Sequence, residues 1–129
     1  MPGSLDGIQV LLVDDDEDLL AVMQLILESE GALVIPASHT EAALAALATT
    51  KPDVLVLDIM MPRRDGWSLL NEARSRGDLD GVSVLAVTGL DLKPDQIEEA
   101  GLNEYLPKPM DARTLCGTVE RLARARRSA

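Results

Sequence analysis

Two short apolar runs end abruptly in carboxylates. Val10-Leu11-Leu12-Val13 leads into Asp14-Asp15-Asp16, and Val54-Leu55-Val56-Leu57 leads into Asp58. Apolar runs this short, without polar alternation, suit strands covered on both faces, as in a parallel sheet. Parallel strands share a direction, so the carboxylates that follow them collect at one end of the sheet, where open α/β folds keep their ligands. Like charges brought that close are costly unless a cation or a proton intervenes. This crowding most narrows what the chain can be.

The remaining sequence supplies the elements such a sheet needs. Ile8–Val13 predicts the first strand. Leu19, Val22, Met23, Ile26 and Leu27 then recur at helical spacing behind acidic residues that suit a helix N-terminus, and Gly31 stops the helix. Residues 32–36 predict a second strand. Ser38-His39-Thr40-Glu41 has the capping-box form, with Ser38 at the cap, and opens an alanine-rich helix with Leu44 and Leu47 inward. After the third strand, 54–57, the loop 59–66 leads to a helix carrying Leu69, Leu70 and Ala73. The fourth strand, 82–87, ends in Thr88-Gly89. Pro94 then opens a short helix through Ala100, closed by Gly101. A brief fifth strand near 104–106 runs into Pro107-Lys108-Pro109, and Asp111 caps a last helix with Leu115, Val119 and Leu122 on its buried stripe.

Five strands alternating with five helices predict an α/β fold, a single doubly wound five-stranded parallel sheet. The domain is expected over residues 6–125, with 1–5 an N-terminal extension and 126–129 a C-terminal tail. Arg121, Arg124, Arg126 and Arg127 read as solvated cations at a helix C-terminus.

A formal net charge of -10 argues against a duplex-binding surface or an anionic-membrane patch. With Cys116 alone, neither a disulfide framework nor a thiolate metal site can form within the chain. There is no 18-residue apolar run and no signal-peptide pattern, so a cytoplasmic location is the expectation.

The strand ends place Asp14, Asp15, Asp16, Asp58, Thr88 and Lys108 on one side of the sheet. Carboxylates with room for water are what a hard divalent cation such as Mg²⁺ requires. A lysine there pairs with Asp58 and can later hold an anionic oxygen, to which a threonine hydroxyl can also donate. Together these groups make a site for phosphoryl transfer to Asp58. Acids 14–18 would also complement a helix N-terminus, which accounts for Asp16, Glu17 and Asp18 but poorly for Asp14, still part of the strand end.

Val13-Asp14-Asp15, Leu57-Asp58-Ile59-Met60-Met61-Pro62 with Asp65-Gly66, Val87-Thr88 and Tyr105-Leu106-Pro107-Lys108-Pro109 together resemble the receiver domain of two-component response regulators. The resemblance covers residues 6–125 and implies the flavodoxin-like strand order 2-1-3-4-5, for which a chemotaxis regulator of that family is a known example. It implies a regulatory module rather than an independent enzyme, with Asp58 as phosphoacceptor from a sensor histidine kinase or a histidine phosphotransfer protein. Asp14, Asp15, Asp58 and the Met60 backbone carbonyl would hold Mg²⁺, Thr88 and Lys108 the phosphoryl oxygens. Tyr105 would be an aromatic switch coupled to Thr88, shifting the face formed by the fourth helix, fifth strand and fifth helix. That face would control a downstream effector and allows a homodimer; direct nucleic-acid or membrane binding is not expected. The Lys108-Pro109 bond is usually cis in this family.

Some features depart from the family pattern. Lys108 follows Thr88 by twenty residues, two fewer than usual, so the fourth helix should be short or irregular. Gly89 stands where alanine is commoner. Met60 and Leu90, two positions beyond Asp58 and Thr88, are apolar where the family tunes hydrolysis of the phosphoryl group. Other functions fit less well. Asp14-x-Asp16 mimics the first motif of haloacid dehalogenase phosphatases, but no Thr or Val follows at the expected place. A flavin carrier on this fold needs phosphate-binding N–H groups where the chain has three carboxylates. A receiver-like scaffold that takes no phosphate would not need Asp58, Thr88 and Lys108.

Overall fold

Every residue of the run Val54–Leu57 is buried, as is every residue of Val10–Val13. The structure is a computed structural model and describes residues 3–128. Ten elements alternate along it: β1 (Gln9–Val13), α1 (Glu17–Ser29), β2 (Leu33–Ala37), α2 (Thr40–Thr49), β3 (Val54–Leu57), α3 (Gly66–Ser75), β4 (Ser83–Thr88), α4 (Pro94–Glu99), β5 (Glu104–Pro107) and α5 (Ala112–Ser128). The strands are parallel in the order β2-β1-β3-β4-β5, the doubly wound arrangement expected.

Side chains alternate across each strand, so the sheet divides the core in two. Leu11, Val13, Leu55, Leu57, Val84 and Ala86 meet Leu44 and Leu47 of α2 and Leu69, Leu70 and Ala73 of α3. On the opposite face Val10, Leu12, Val54, Val56, Leu85 and Val87 meet Leu20, Met23 and Leu27 of α1 and Leu115, Val119 and Leu122 of α5. Each such leucine contributes roughly 1.5–3 kcal/mol relative to an exposed one. Pro36 lacks an N–H and sits on the edge strand β2, where that loss is tolerated.

Helix α4 is six residues long and has no buried residue, as the short Thr88–Lys108 interval anticipates. Buried Leu92 and Leu102 anchor it from either side, and Arg74 Nη2 of α3 donates to Gly101 O at 3.2 Å.

The structure differs from the sequence expectation at three places. The cap of α2 is His39, not Ser38: its Nδ1 accepts from Ala42 N–H at 3.1 Å, so the helix starts one residue later than a Ser38 cap would place it. At the N-terminal end, Leu5 is fully buried in the α1/α5 core and its N–H donates to Glu30 O, so packing begins inside the stretch set aside as an extension. At the other end α5 continues through residues 126–128 rather than giving way to a tail at 126.

Arg126 and Arg127 are not merely solvated. Their guanidinium groups close on the buried Asp53 carboxylate at the start of β3, at 3.0 and 2.9 Å, and Asp53 also accepts Gln9 N–H at 2.8 Å. Arg127 further donates to Gly7 O, and Arg126 to Gly81 O. One carboxylate thus ties the ends of α5, β1 and β3 together. Burial pushes the Asp53 carboxyl up, but the Arg127 hydrogen bond, the Gln9 N–H and the two guanidinium charges outweigh it, so it stays below the usual aspartate range. A lowered carboxyl stabilises the fold at pH above its unfolded value and loses that contribution as pH falls through the folded one. Asp53→Asn is therefore expected to cost about 2 kcal/mol at pH 7, allowing for the solvent exposure of Arg127. Urea unfolding of both proteins should show that difference shrinking below about pH 4.

Candidate functional site

The register that pairs Val13 with Leu57 brings the residues after them side by side at the carboxyl ends of β1 and β3. Asp14 N–H donates to Ala37 O at 3.2 Å and Asp58 N–H to Val13 O at 3.0 Å, extending the ladder by one residue on each strand. Both carboxylates are consequently buried, Asp14 at 1% and Asp58 at 6% exposure. Lys108 enters from the end of β5, where its N–H donates to Thr88 O at 2.9 Å and its peptide bond to Pro109 is cis. Its Nζ stands 2.8 Å from Asp14 Oδ2 and 2.8 Å from Asp58 Oδ2, one ammonium shared by two carboxylates.

The other carboxylate oxygens are held by the backbone. Asp14 Oδ1 accepts Asp16 N–H and Asp58 Oδ1 accepts Met60 N–H, each at 2.9 Å. Short side chains that bond the backbone two residues on fix their own rotamers, so both carboxylates are preorganised. The turn after Asp58 closes when Gly66 N–H donates to Ile59 O at 2.9 Å, and a Cβ on Gly66 would lie 2.8 Å from Ile59 Cα. Only glycine lets the start of α3 come that close.

The three consecutive aspartates have separate tasks. Asp14 pairs with Lys108. Asp15 is exposed, and one oxygen from each of Asp14, Asp15 and Asp58 lies within 4.8 Å of the others. Asp16 turns away and caps α1 by accepting Leu19 N–H at 3.1 Å. The second aspartate of the phosphatase-like pattern Asp14-x-Asp16 is thus committed to a helix end.

Burial raises the Asp14 carboxyl above its usual range; the Lys108 hydrogen bond, the Asp16 N–H and the Lys108 charge offset it only in part, and Asp58 adds a smaller repulsion. For Lys108 burial works downward, but bonding to the two carboxylates overrides it and the amine rises. Three carboxylates facing one ammonium leave two negative charges uncompensated. An all-oxygen donor set with an exposed member that leaves room for water suits a hard divalent cation.

Thr88 is fully buried, and its Oγ1 accepts Leu90 N–H at 3.3 Å. It reaches Lys108 only through its backbone carbonyl. Tyr105, half-buried against the α2/α3 core, donates its hydroxyl to Leu90 O at 2.5 Å. Leu90 is therefore gripped at its N–H by Thr88 and at its C=O by Tyr105. Asp14, Asp15, Asp58 and Lys108 form one cluster, and Thr88 and Tyr105 a second one joined to it through Lys108 N–H. The Leu90 backbone carries no side-chain signature, which is why the sequence did not point to it as the link. Met60 is 55% exposed at the rim, beside Trp67 and Leu90.

Residues 10–120 match the model of the response regulator receiver domain. An uncharacterized 14.6 kDa protein of Leptolyngbya boryana is 33% identical over 119 residues, 91% of each chain. The response regulator MprA of Mycobacterium ulcerans is 34% identical over 92% of this chain, which spans 51% of that protein's length. Among solved structures, the receiver domain of the Francisella response regulator 1452 superposes with a TM-score of 0.83 at 30% identity, covering 92% of this chain and 98% of that one. Among the described residues no helix is long and apolar enough to cross a membrane.

Removing the shared ammonium leaves the two buried carboxylates facing each other without a counter-charge. Lys108→Ala is expected to lower stability by about 2 kcal/mol in chelator-treated protein. Lys108→Ala combined with Asp58→Asn should recover part of that loss, measured by urea unfolding.

Proposed function

Because the chain belongs to the response-regulator receiver family, we propose that Asp58 is its phosphoacceptor and that Asp14, Asp15, Thr88 and Lys108 are the groups that make transfer work. At family level the chain is a receiver domain of two-component signalling, whose partners are a histidine kinase and an effector. The chain spans about half the length of the curated regulator MprA.

In transfer, an Asp58 oxygen forms the bond to phosphorus while the P–N bond of the donor phosphohistidine breaks. The imidazole leaves with the electron pair. Asp58 is already held by Met60 N–H and Lys108 Nζ, so little reorganisation precedes the step. Lys108 would pass from the Asp58 carboxylate to a phosphoryl oxygen, remaining paired with Asp14. Asp14, Asp15 and Asp58, with the Met60 backbone carbonyl, would hold Mg²⁺, which when bound neutralises charge on the phosphoryl oxygens. The observation that carries this reading is the charge balance of three oxygen-donor acids against one lysine.

Thr88 would signal the change. Its hydroxyl accepts from Leu90 N–H, and a hydroxyl can donate at the same time. Donation to a phosphoryl oxygen would draw Thr88 toward Asp58 and disturb the Leu90 loop that Tyr105 grips. The displaced tyrosine would alter the surface of α4, β5 and α5, where α4 has no buried residue to resist movement.

Incubation with a phosphorylated histidine kinase and Mg²⁺ should add one phosphoryl group, seen by intact mass. Asp58→Asn should abolish the increment, and an increment that persists would name another acceptor. Mg²⁺ should also raise the unfolding free energy, by about 2.7 kcal/mol at a hundredfold excess over Kd. Asp15→Asn should flatten that dependence in calorimetric scans, and an undiminished rise would dismiss the assigned metal pocket.

A further inference from the structure

Arg64 N–H donates to Pro62 O at 2.8 Å across Arg63, whose φ is +70°. Three-residue turns of this hand are rare and strained. Arg63 is the one non-glycine residue with positive φ among those described. An L side chain there costs stability that glycine would not. The turn is held from outside: Thr40 Oγ1 donates to Arg64 O at 2.9 Å, and the Arg64 guanidinium is occupied by Glu41, Ser68 and Glu72. Arg63 itself is exposed, and among the described residues its guanidinium has no ion-pair or hydrogen-bond partner. A conformation that costs stability and presents an unpaired cation points to a use for that cation.

Arg63 lines a cleft of about 500 Å³ together with Asp15, His39, Met61 and Arg64. Asp15 belongs to both the cleft and the carboxylate cluster, so the cleft adjoins the place where a phosphoryl group must arrive. The chain carries a formal net charge of -10, and its long-range field opposes an approaching phosphoryl anion. A guanidinium offers the planar donor pair that matches phosphoryl oxygens. Building on the phosphoacceptor reading of Asp58, we propose that Arg63 is a substrate-binding residue that captures the phosphoryl oxygens of the incoming donor at the cleft. Glycine at this position would relieve the turn, so the cost of a side chain there is set against the use of its cation.

The test uses two small donors with the same phosphoryl group and unlike leaving groups, acetyl phosphate and phosphoramidate, each with Mg²⁺. In both, an Asp58 oxygen bonds to phosphorus. The P–O bond of the first breaks and acetate leaves with the electron pair; the P–N bond of the second breaks and ammonia leaves with it. Arg63→Gly relaxes the turn and should raise the melting temperature, yet raise the half-saturating concentration of both donors about tenfold with an unchanged limiting rate. Arg63→Gln, which keeps the stem and drops the charge, should show the same kinetic loss, while Arg63→Lys should recover most of the capture. Unchanged half-saturation in Arg63→Gly and Arg63→Gln would overturn the proposal. So would a shift confined to acetyl phosphate, which would mean the acyl group is recognised, or a fall in limiting rate alone. If the wild type takes no phosphoryl group from either donor or from a phosphorylated kinase, the proposed phosphoacceptor role of Asp58 itself fails.

Discussion

A single ammonium held between two buried carboxylates organises the functional end of this sheet. Lys108 Nζ is 2.8 Å from both Asp14 and Asp58, residues that follow different strands and that would repel each other without it. Burying a charge is tolerable only when it is paired and hydrogen-bonded. Each carboxylate meets that condition with lysine on one oxygen and a backbone N–H on the other. Satisfying those bonds requires β1, β3 and β5 to end at the same level. The strand register, the turn closed at Gly66 and the path of the chain through Pro107-Lys108-Pro109 all serve that alignment.

Compensation remains partial, and this links stability to function. One positive charge cannot neutralise three acids, and the proposed cation binding and transfer chemistry rest on that imbalance. Thr88 and Tyr105 hold the N–H and the C=O of Leu90, the link through which the proposed switch would reach the surface. The opposite end of the sheet is built for rigidity. There the Asp53 carboxylate, two arginines and Gln9 N–H lock α5 to β1 and β3. The proposed switch would move one edge of the domain against this fixed base.

Much of this was legible along the chain because the signals were local. The apolar runs 10–13 and 54–57, the helical spacing of Leu69, Leu70 and Ala73, and the placement of Asp58 at a strand end all depend on neighbouring residues, and all five strands lie where those patterns put them. The misreadings concern partners distant in sequence. Arg127 looked like a solvated helix terminus because Asp53 lies 74 residues away. Leu5 looked dispensable because its neighbours in the core come from α1 and α5. The helix cap falls on His39 rather than Ser38, because where α2 begins depends on its packing and not on the capping-box pattern alone.

The sequence alone determined the fold class and the set of acids, hydroxyl and lysine that could meet at one end of the sheet. Hydrophobic periodicity and strand-terminal position are properties of consecutive residues and need no knowledge of tertiary contacts. Only the tertiary structure decided how the three aspartates divide their roles, that Leu90 joins Thr88 to Tyr105, and that Arg63 is unpaired in a turn of positive φ. Those outcomes depend on distances and backbone angles set by the packing of the whole sheet and its helices, and no local pattern of residue types encodes them.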